Sequence, residues 1–237
     1  MHEDVEATDV VRTVVSWSGG KDAAFALDRE LSDPAVEVVE LLTTVSEAND
    51  RISMHGVRAE LLERQADAVG LPLRTIPLPK DCSNEEYDAR MAAVIERYER
   101  TGIDAITFAD LLLEDVREYR AERLVDTAIE GRWPIWGRDT AEQAREFLDA
   151  GFRATVVCVD GSVLDEGFVG RELDESFLLD LPPGVDPCGE NGEFHTFVRD
   201  GPCFVDPVPV ERGERVTRSV GDSEYHYCDL VLEGEAI

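Results

Sequence analysis

The 237-residue chain is 43% apolar and 32% charged, which suits one large α/β domain or two modest ones and excludes a disordered chain. Acidic residues outnumber basic ones 52 to 23, a formal charge of −29; this argues against direct binding to nucleic-acid backbones and suits an acidic, solvated surface in a high-salt cytoplasm. No apolar run reaches the roughly 18 residues of a membrane span, and Met1–Asp9 is acidic where a signal peptide is basic and then apolar, so no membrane association and a cytoplasmic location are expected.

The first β-branched run, Val10–Trp17, leads through Ser18-Gly19-Gly20-Lys21-Asp22 into a helical pattern over Lys21–Leu31. Lys21 is one of only two lysines in the chain. Further strand patterns cover Val36–Thr44, Leu73–Leu78, Ala105–Phe108, Pro134–Trp136 and Ala154–Val159. Helical patterns between them cover Val57–Val69, Asn84–Tyr98, Asp115–Glu130 and Ala141–Ala150. Ser83 with Glu86 three residues on has the form of a capping box, and Gly70, Gly102, Gly131 and Gly151 stand where helices stop. This alternation predicts an α/β fold, a parallel sheet with helices on both faces, with ligands at the carboxyl ends of its strands.

Beyond Gly161 the pattern changes. A short helical stretch, Leu173–Leu181, is followed by six prolines and by strand patterns at Phe194–Val198, Val208–Thr217 and Tyr225–Leu232. A smaller C-terminal α+β portion is expected, with a division into 10–139 for nucleotide binding and 140–237 for completing an acceptor site.

Ser18–Asp22 is neither a Walker A loop, which needs G-x-x-x-x-G-K-[ST], nor a dinucleotide G-x-G-x-x-G. It is a glycine turn between a strand and a helix start, where backbone N–H groups and the helix dipole favour an anion. In that position it resembles the PP-loop of ATP pyrophosphatases, which split ATP between the α and β phosphates. Ser18, Gly19, Gly20 and Lys21 would stabilise the departing pyrophosphate, and Asp22 would either orient the loop or hold Mg²⁺. The five cysteines, Cys82, Cys158, Cys188, Cys203 and Cys228, are dispersed without a C-x-x-C pair, so neither zinc nor disulfides are expected.

A second group of functional side chains is Pro187-Cys188-Gly189-Glu190-Asn191-Gly192-Glu193-Phe194-His195-Thr196-Phe197. Two glycines bracket carboxylates and a histidine and threonine follow, which is more functionality than a plain turn requires.

Together these stretches resemble the diphthine–ammonia ligases and their relatives, which carry S-G-G-K-D-S and later C-G-E-G-G-E-[YF]-x-T-F. Leu61–Pro72 with Gln65, Phe108–Arg120 with Asp110, Pro134–Asp139, Gly151–Ala154 and Gly170-Arg171 also fit, in order. The resemblance implies an adenine nucleotide alpha hydrolase-like (HUP-type) sheet. It also implies a reaction: ATP adenylates the carboxylate of diphthine on translation elongation factor 2, and ammonia displaces AMP to form the amide. ATP, Mg²⁺, ammonia and the elongation factor are then the expected partners, and homo-oligomerisation is left open.

On the same basis Ser18–Asp22 would cradle phosphates, Asp110 would lie near the nucleotide, and adenine would be read around Thr43–Val45, at Thr44. Cys188, Gly189, Glu190, Gly192, Glu193, His195 and Thr196 would line the acceptor side, with Arg138 and Asp139 nearby. Glu193 is the first candidate for the base that takes a proton from ammonia and Glu190 the second. Arg138 would either stabilise charge on the α-phosphate or pair with Asp139 or another acid. His195 would be catalytic or a polar contact, and His55 would face the same cleft.

Three positions depart from the family pattern: Ala23 replaces the last serine of the loop, Asn191 a glycine, and Ala109 a glycine. They leave open a paralogue acting on another small-molecule or tRNA acceptor, and a non-enzymatic nucleotide sensor.

Overall fold

The computed structural model describes residues 10–52, 55–221 and 223–234. Met1–Asp9 and the last three positions of the expected C-terminal portion lie outside the described residues.

Five strands form the first sheet: β1 (Val11–Ser16), β2 (Val36–Ser46), β3 (Leu73–Leu78), β4 (Ala105–Thr107) and β5 (Glu130–Arg132). They are all parallel, in the order β3-β2-β1-β4-β5. Consecutive side chains of a strand point to opposite faces. In β1, Val15 joins a core with α1 (Lys21–Leu31) and α2 (Ala59–Val69), while Val14 joins a second core with Ile95 and Tyr98 of α3 (Asn84–Thr101). Helices therefore cover both faces, as the alternation predicts. The strand order reverses between β1 and β4, which places the ligand crevice of such a sheet beside the loops that leave these two strands.

Local signals explain most boundaries. Ser83 and Glu86 form the reciprocal capping box at the start of α3, and Gly70 and Gly102 end α2 and α3 in the left-handed conformation that costs glycine least. One expected strand is misplaced. Pro134–Trp136 is a turn, and the fifth strand is Glu130–Arg132, paired to β4 at Ala105, Ile106 and Thr107. Helix α4 (Glu114–Glu122) correspondingly stops well before Glu130. Gly131 is therefore not a helix stop: it sits inside β5, where a Cβ would come within 2.3 Å of the Trp133 ring.

The second sheet is antiparallel, in the order β7-β6-β9-β8. It comprises β6 (Arg153–Asp160), β7 (Phe194–Asp200), β8 (Val210–Val220) and β9 (Ser223–Leu232), and α6 (Glu175–Asp180) lies between β6 and β7. The sixth strand pattern of the alternating series thus opens this sheet and does not extend the first.

The two sheets share one apolar core. Phe25 of α1 packs edge-on against Phe147 of α5 (Thr140–Asp149) and Phe152, and the same cluster contains Val156, Phe177, Phe194 and Phe197. Each such fully buried side chain contributes roughly 1.5–3 kcal/mol. The shared core presses β7 against the start of α1, and the Val198 N–H donates to the Gly19 carbonyl at 2.9 Å.

Candidate active site

The loop after β1 turns on Gly19, whose φ of +75° suits glycine and where a Cβ would meet Gln65 Oε1 at 2.5 Å. Gln65, fully buried on α2, staples the turn. Its Oε1 accepts from Trp17 Nε1 at 3.0 Å and its Nε2 donates to the carbonyls of Gly19 and Val198. At Gly20 a Cβ would stand 3.1 Å from the His55 ring and 3.2 Å from the Thr196 carbonyl. No side chain caps the start of α1, and the Lys21 N–H donates to the Thr196 hydroxyl at 3.0 Å.

Lys21 is only 6% exposed, and its Nζ lies 2.6 Å from Asp22 Oδ2. Burial pulls its pKa down, but the adjacent Asp22 carboxylate, with its charge and hydrogen bond, outweighs burial and holds it above the ordinary value, so the ammonium is retained. The other Asp22 oxygen, Oδ1, is buried with no partner among the described residues.

These groups line a cavity of about 230 Å³ together with Asp110, Arg120, Cys188, Gly189 and Glu190. It adjoins a larger cavity of about 730 Å³, lined mainly by apolar side chains such as Leu42, Met91, Ile95, Ile106 and Leu124. Thr43 and Thr44 line the larger cavity, close to the expected adenine position. A small chamber that holds a buried ammonium thus opens into a roomy apolar one at the strand-order reversal.

The Cys188–Thr196 loop divides its carboxylates. Glu190 faces the small chamber and accepts from the Leu112 N–H at 3.3 Å. Burial, reinforced by the charge of Asp22 and opposed by Lys21, pushes its pKa up to about 7. Glu193 is placed otherwise than its first rank as a base requires. It turns back into its own loop and accepts from the N–H groups of Asp186 and Asn191 and from the Asn191 side chain, at 2.8–3.1 Å. Gly189 lets this loop close, since a Cβ there would stand 2.7 Å from the Phe194 carbonyl, while Gly192, also at positive φ, has open space around it.

His55 and His195 stack with ring centroids 4.6 Å apart and line both chambers. Burial depresses both, to about 4 and about 3, so both are neutral near pH 7 and neither supplies charge to a phosphate. Ser53 and Met54, beside His55, lie outside the described residues. Cys188 lines the small chamber, donates its thiol to the Thr140 carbonyl and is pushed by burial up to about 12, so it remains a thiol.

Gly19, Gly192 and Glu193 line neither chamber, and Arg138 and Asp139 serve elsewhere. Arg138 pairs with Glu146 of α5, which corresponds to the ion-pair alternative, and Asp139 caps α5 by accepting from the Glu142 N–H at 2.9 Å. Arg120 carries no sequence signal beyond its place in the stretch that follows β4, and Gln65 none beyond its place in a matching helix.

The chain is similar to known proteins over most of its length. The model for the diphthamide synthase N-terminal domain matches residues 11–127 and that for the C-terminal domain residues 139–226. The diphthine–ammonia ligase of Bos taurus is 24% identical over 88% of this chain and 86% of its own length. That of Danio rerio is 26% identical over 88% and 90%. Among solved structures, a U34-tRNA thiolase from Methanococcus maripaludis with its [4Fe-4S] cluster covers 60% of this chain and 58% of its own, at 11% identity and a TM-score of 0.36. Both halves of the chain match the same family: the chain belongs to the diphthamide synthase family and is a ligase of diphthamide biosynthesis.

Proposed function

We propose that the chain uses ATP to adenylate the carboxylate of diphthine on translation elongation factor 2 and then passes the acyl group to ammonia, releasing AMP and pyrophosphate. The observation that carries this proposal is the pair of adjoining chambers. One holds a charged lysine on a glycine turn and suits a polyphosphate; the other, largely apolar, suits an adenosine.

The reaction balances in two steps. A carboxylate oxygen attacks the α-phosphorus, and the bond to the bridging oxygen breaks, its electron pair leaving with pyrophosphate. Lys21, the Gly19–Gly20 turn and the start of α1 meet that departing charge. Ammonia then attacks the acyl carbon, AMP leaves, and a proton passes to a base. Glu190, which faces the chamber with a pKa near 7, fills that role better than Glu193, whose oxygens are occupied by its own loop.

Mg²⁺ fits the donor set. Three carboxylates, Asp22, Asp110 and Glu190, line the small chamber against two cations, Lys21 and Arg120. Asp22 Oδ1 lacks a partner, and one carboxylate plus phosphate oxygens is the ordinary Mg²⁺ arrangement. Among the described residues no three potential ligands form a site by themselves. Mg²⁺ would supply charge neutralisation to the triphosphate.

We take 10–139 as the nucleotide-binding part and 140–237 as the part that completes the acceptor side. Five unpaired cysteines favour work in the cytoplasm, and the acidic composition favours a salty one. Among the described residues no helix is long and apolar enough to cross a membrane.

The test is direct: purified protein, ATP, Mg²⁺, ammonium and diphthine-bearing elongation factor should give AMP and an amidated factor by mass spectrometry. Folded, ATP-binding protein that leaves the factor unchanged but releases AMP with another carboxylate would instead establish the paralogue suggested by Ala23, Ala109 and Asn191.

A further inference from the structure

We infer that Arg120 is the residue that meets the α-phosphate and carries the charge developing on it. The inference deepens the proposed ATP chemistry and rests on it for the placement of the nucleotide.

Six residues line both chambers: Ser16, Ser18, His55, Asp110, Arg120 and His195. A nucleotide with its polyphosphate in the small chamber and its base in the large one must pass its α-phosphate beside these six. Of them the serines carry no charge, burial holds both imidazoles neutral, and Asp110 is an acid. Among the described residues Arg120 is the sole cation that lines both chambers. Lys21 lies within the small chamber against Asp22, Arg123 lines only the large one and is bound to Asp88, and Arg138, bound to Glu146, lines neither.

The surroundings of Arg120 hold it at the junction and leave it able to change partners. Its guanidinium lies 4.7 Å from the centroid of the Phe108 ring, and its Nη1 is 3.1 Å from Asp110 Oδ2. Its side chain is 31% exposed, that of Asp110 11%. The same carboxylate oxygen accepts from Trp133 Nε1 at 3.0 Å. Asp110 therefore keeps a donor if Arg120 turns toward a phosphate. Helix α4, which has no buried residue, is anchored one turn earlier, where Arg117 lies 5.1 Å from the Trp133 ring and 4.5 Å from the Trp136 ring. A planar guanidinium can donate two parallel bonds to phosphate oxygens, which an ammonium cannot. As the carboxylate–phosphorus bond forms and the pyrophosphate bond breaks, negative charge on the non-bridging oxygens would be met by these two N–H groups, without any proton transfer.

The test compares adenosine with AMP by isothermal titration on the full chain. Wild type is expected to prefer AMP by roughly tenfold or more, the range of a charge-assisted contact. Arg120→Ala should reduce that preference to within about threefold, and Arg120→Lys should retain part of it. Arg120→Ala combined with Asp110→Asn removes the uncompensated carboxylate and should show the same loss. Lys21→Ala should keep the AMP preference and lose the further gain from AMP to ATP. An AMP preference that survives Arg120→Ala, or that disappears in Lys21→Ala instead, overturns the assignment. Wild type that binds no adenine nucleotide overturns the proposed function itself. Nucleotide binding with the expected pattern but no amidation of the elongation factor removes only the acceptor and leaves Arg120 in place.

Discussion

The backbone N–H of Lys21 donates to the Thr196 hydroxyl at 3.0 Å, across 175 residues of sequence. It fastens the first turn of α1 to β7 of the second sheet and so ties the Ser18–Asp22 loop to the Cys188–Thr196 loop. Thr196→Val leaves that N–H buried without an acceptor, which should lower stability by about 1–3 kcal/mol. It should also raise the KM for ATP more than it lowers kcat. Thr196→Ser keeps the hydroxyl and should restore both. Thermal melts and steady-state AMP release on the two variants check the pair of expectations.

Lys21→Ala should reduce AMP release by roughly 10²–10³-fold, the scale of one preorganised charge-stabilising donor. The substitution also leaves Asp22 without its 2.6 Å partner beside a chamber that Glu190 also lines. A modest fall in melting temperature, with an unchanged far-UV circular dichroism spectrum, is therefore expected. Turnover at the wild-type rate would remove Lys21 from the chemistry.

Glu193 and Glu190 should fail in different ways. Glu193 accepts three hydrogen bonds that close its loop, so Glu193→Leu strands the N–H groups of Asp186 and Asn191 and should cost about 1–3 kcal/mol of stability. Its activity should fall mainly through loosened binding. Urea unfolding of the two variants separates them, because Glu190→Gln removes no comparable network.

The places where the sequence was and was not legible have physical causes. Parallel strands buried on both faces read as apolar, β-branched runs, as β1 and β4 do, whereas β3 at the sheet edge buries only Ile76. The apolar Pro134–Trp136 run resembled a strand, yet Trp136, with Trp133 just before the run, serves as a platform for Arg117, while β5 is a three-residue edge strand with no apolar pattern. Arg132 of β5 reaches Glu30, a buried acid of α1, at 2.8 Å, a contact that no local spacing reveals. Ala154–Val159 looked like another parallel strand because it too is buried on both faces; only its antiparallel neighbours distinguish it. In the site, Lys21 and its glycines were visible because backbone geometry demands those residue types locally. The split between Glu190 and Glu193 depends on which way one loop folds, and Arg120 is one of two arginines on α4 until the two cavities meet beside it.

Glu190 should therefore set the pH response. Its pKa in the folded protein is about 7 against an ordinary 4.5, because burial and Asp22 disfavour the charged form. Between those values the folded state keeps a proton that the unfolded chain has released, so this group's contribution to stability falls as pH rises through the window and levels off above 7. Glu190→Gln removes that penalty: its melting temperature should match wild type near pH 4.5 and exceed it above pH 7. His55 and His195, held near 4 and 3, act in the opposite sense: below 6.5 the unfolded chain takes up protons that the folded imidazoles refuse, so their contribution to stability falls as pH falls through that window. That limb is common to both proteins and cancels in the difference. Activity should show the reciprocal cost, because the carboxylate that burdens the fold above pH 7 is the form able to take a proton from ammonia. Wild-type amide formation should rise through pH 7 and Glu190→Gln should lack that limb, while adenylation measured by pyrophosphate exchange should change little. An identical pH profile in the variant would return the base to another group.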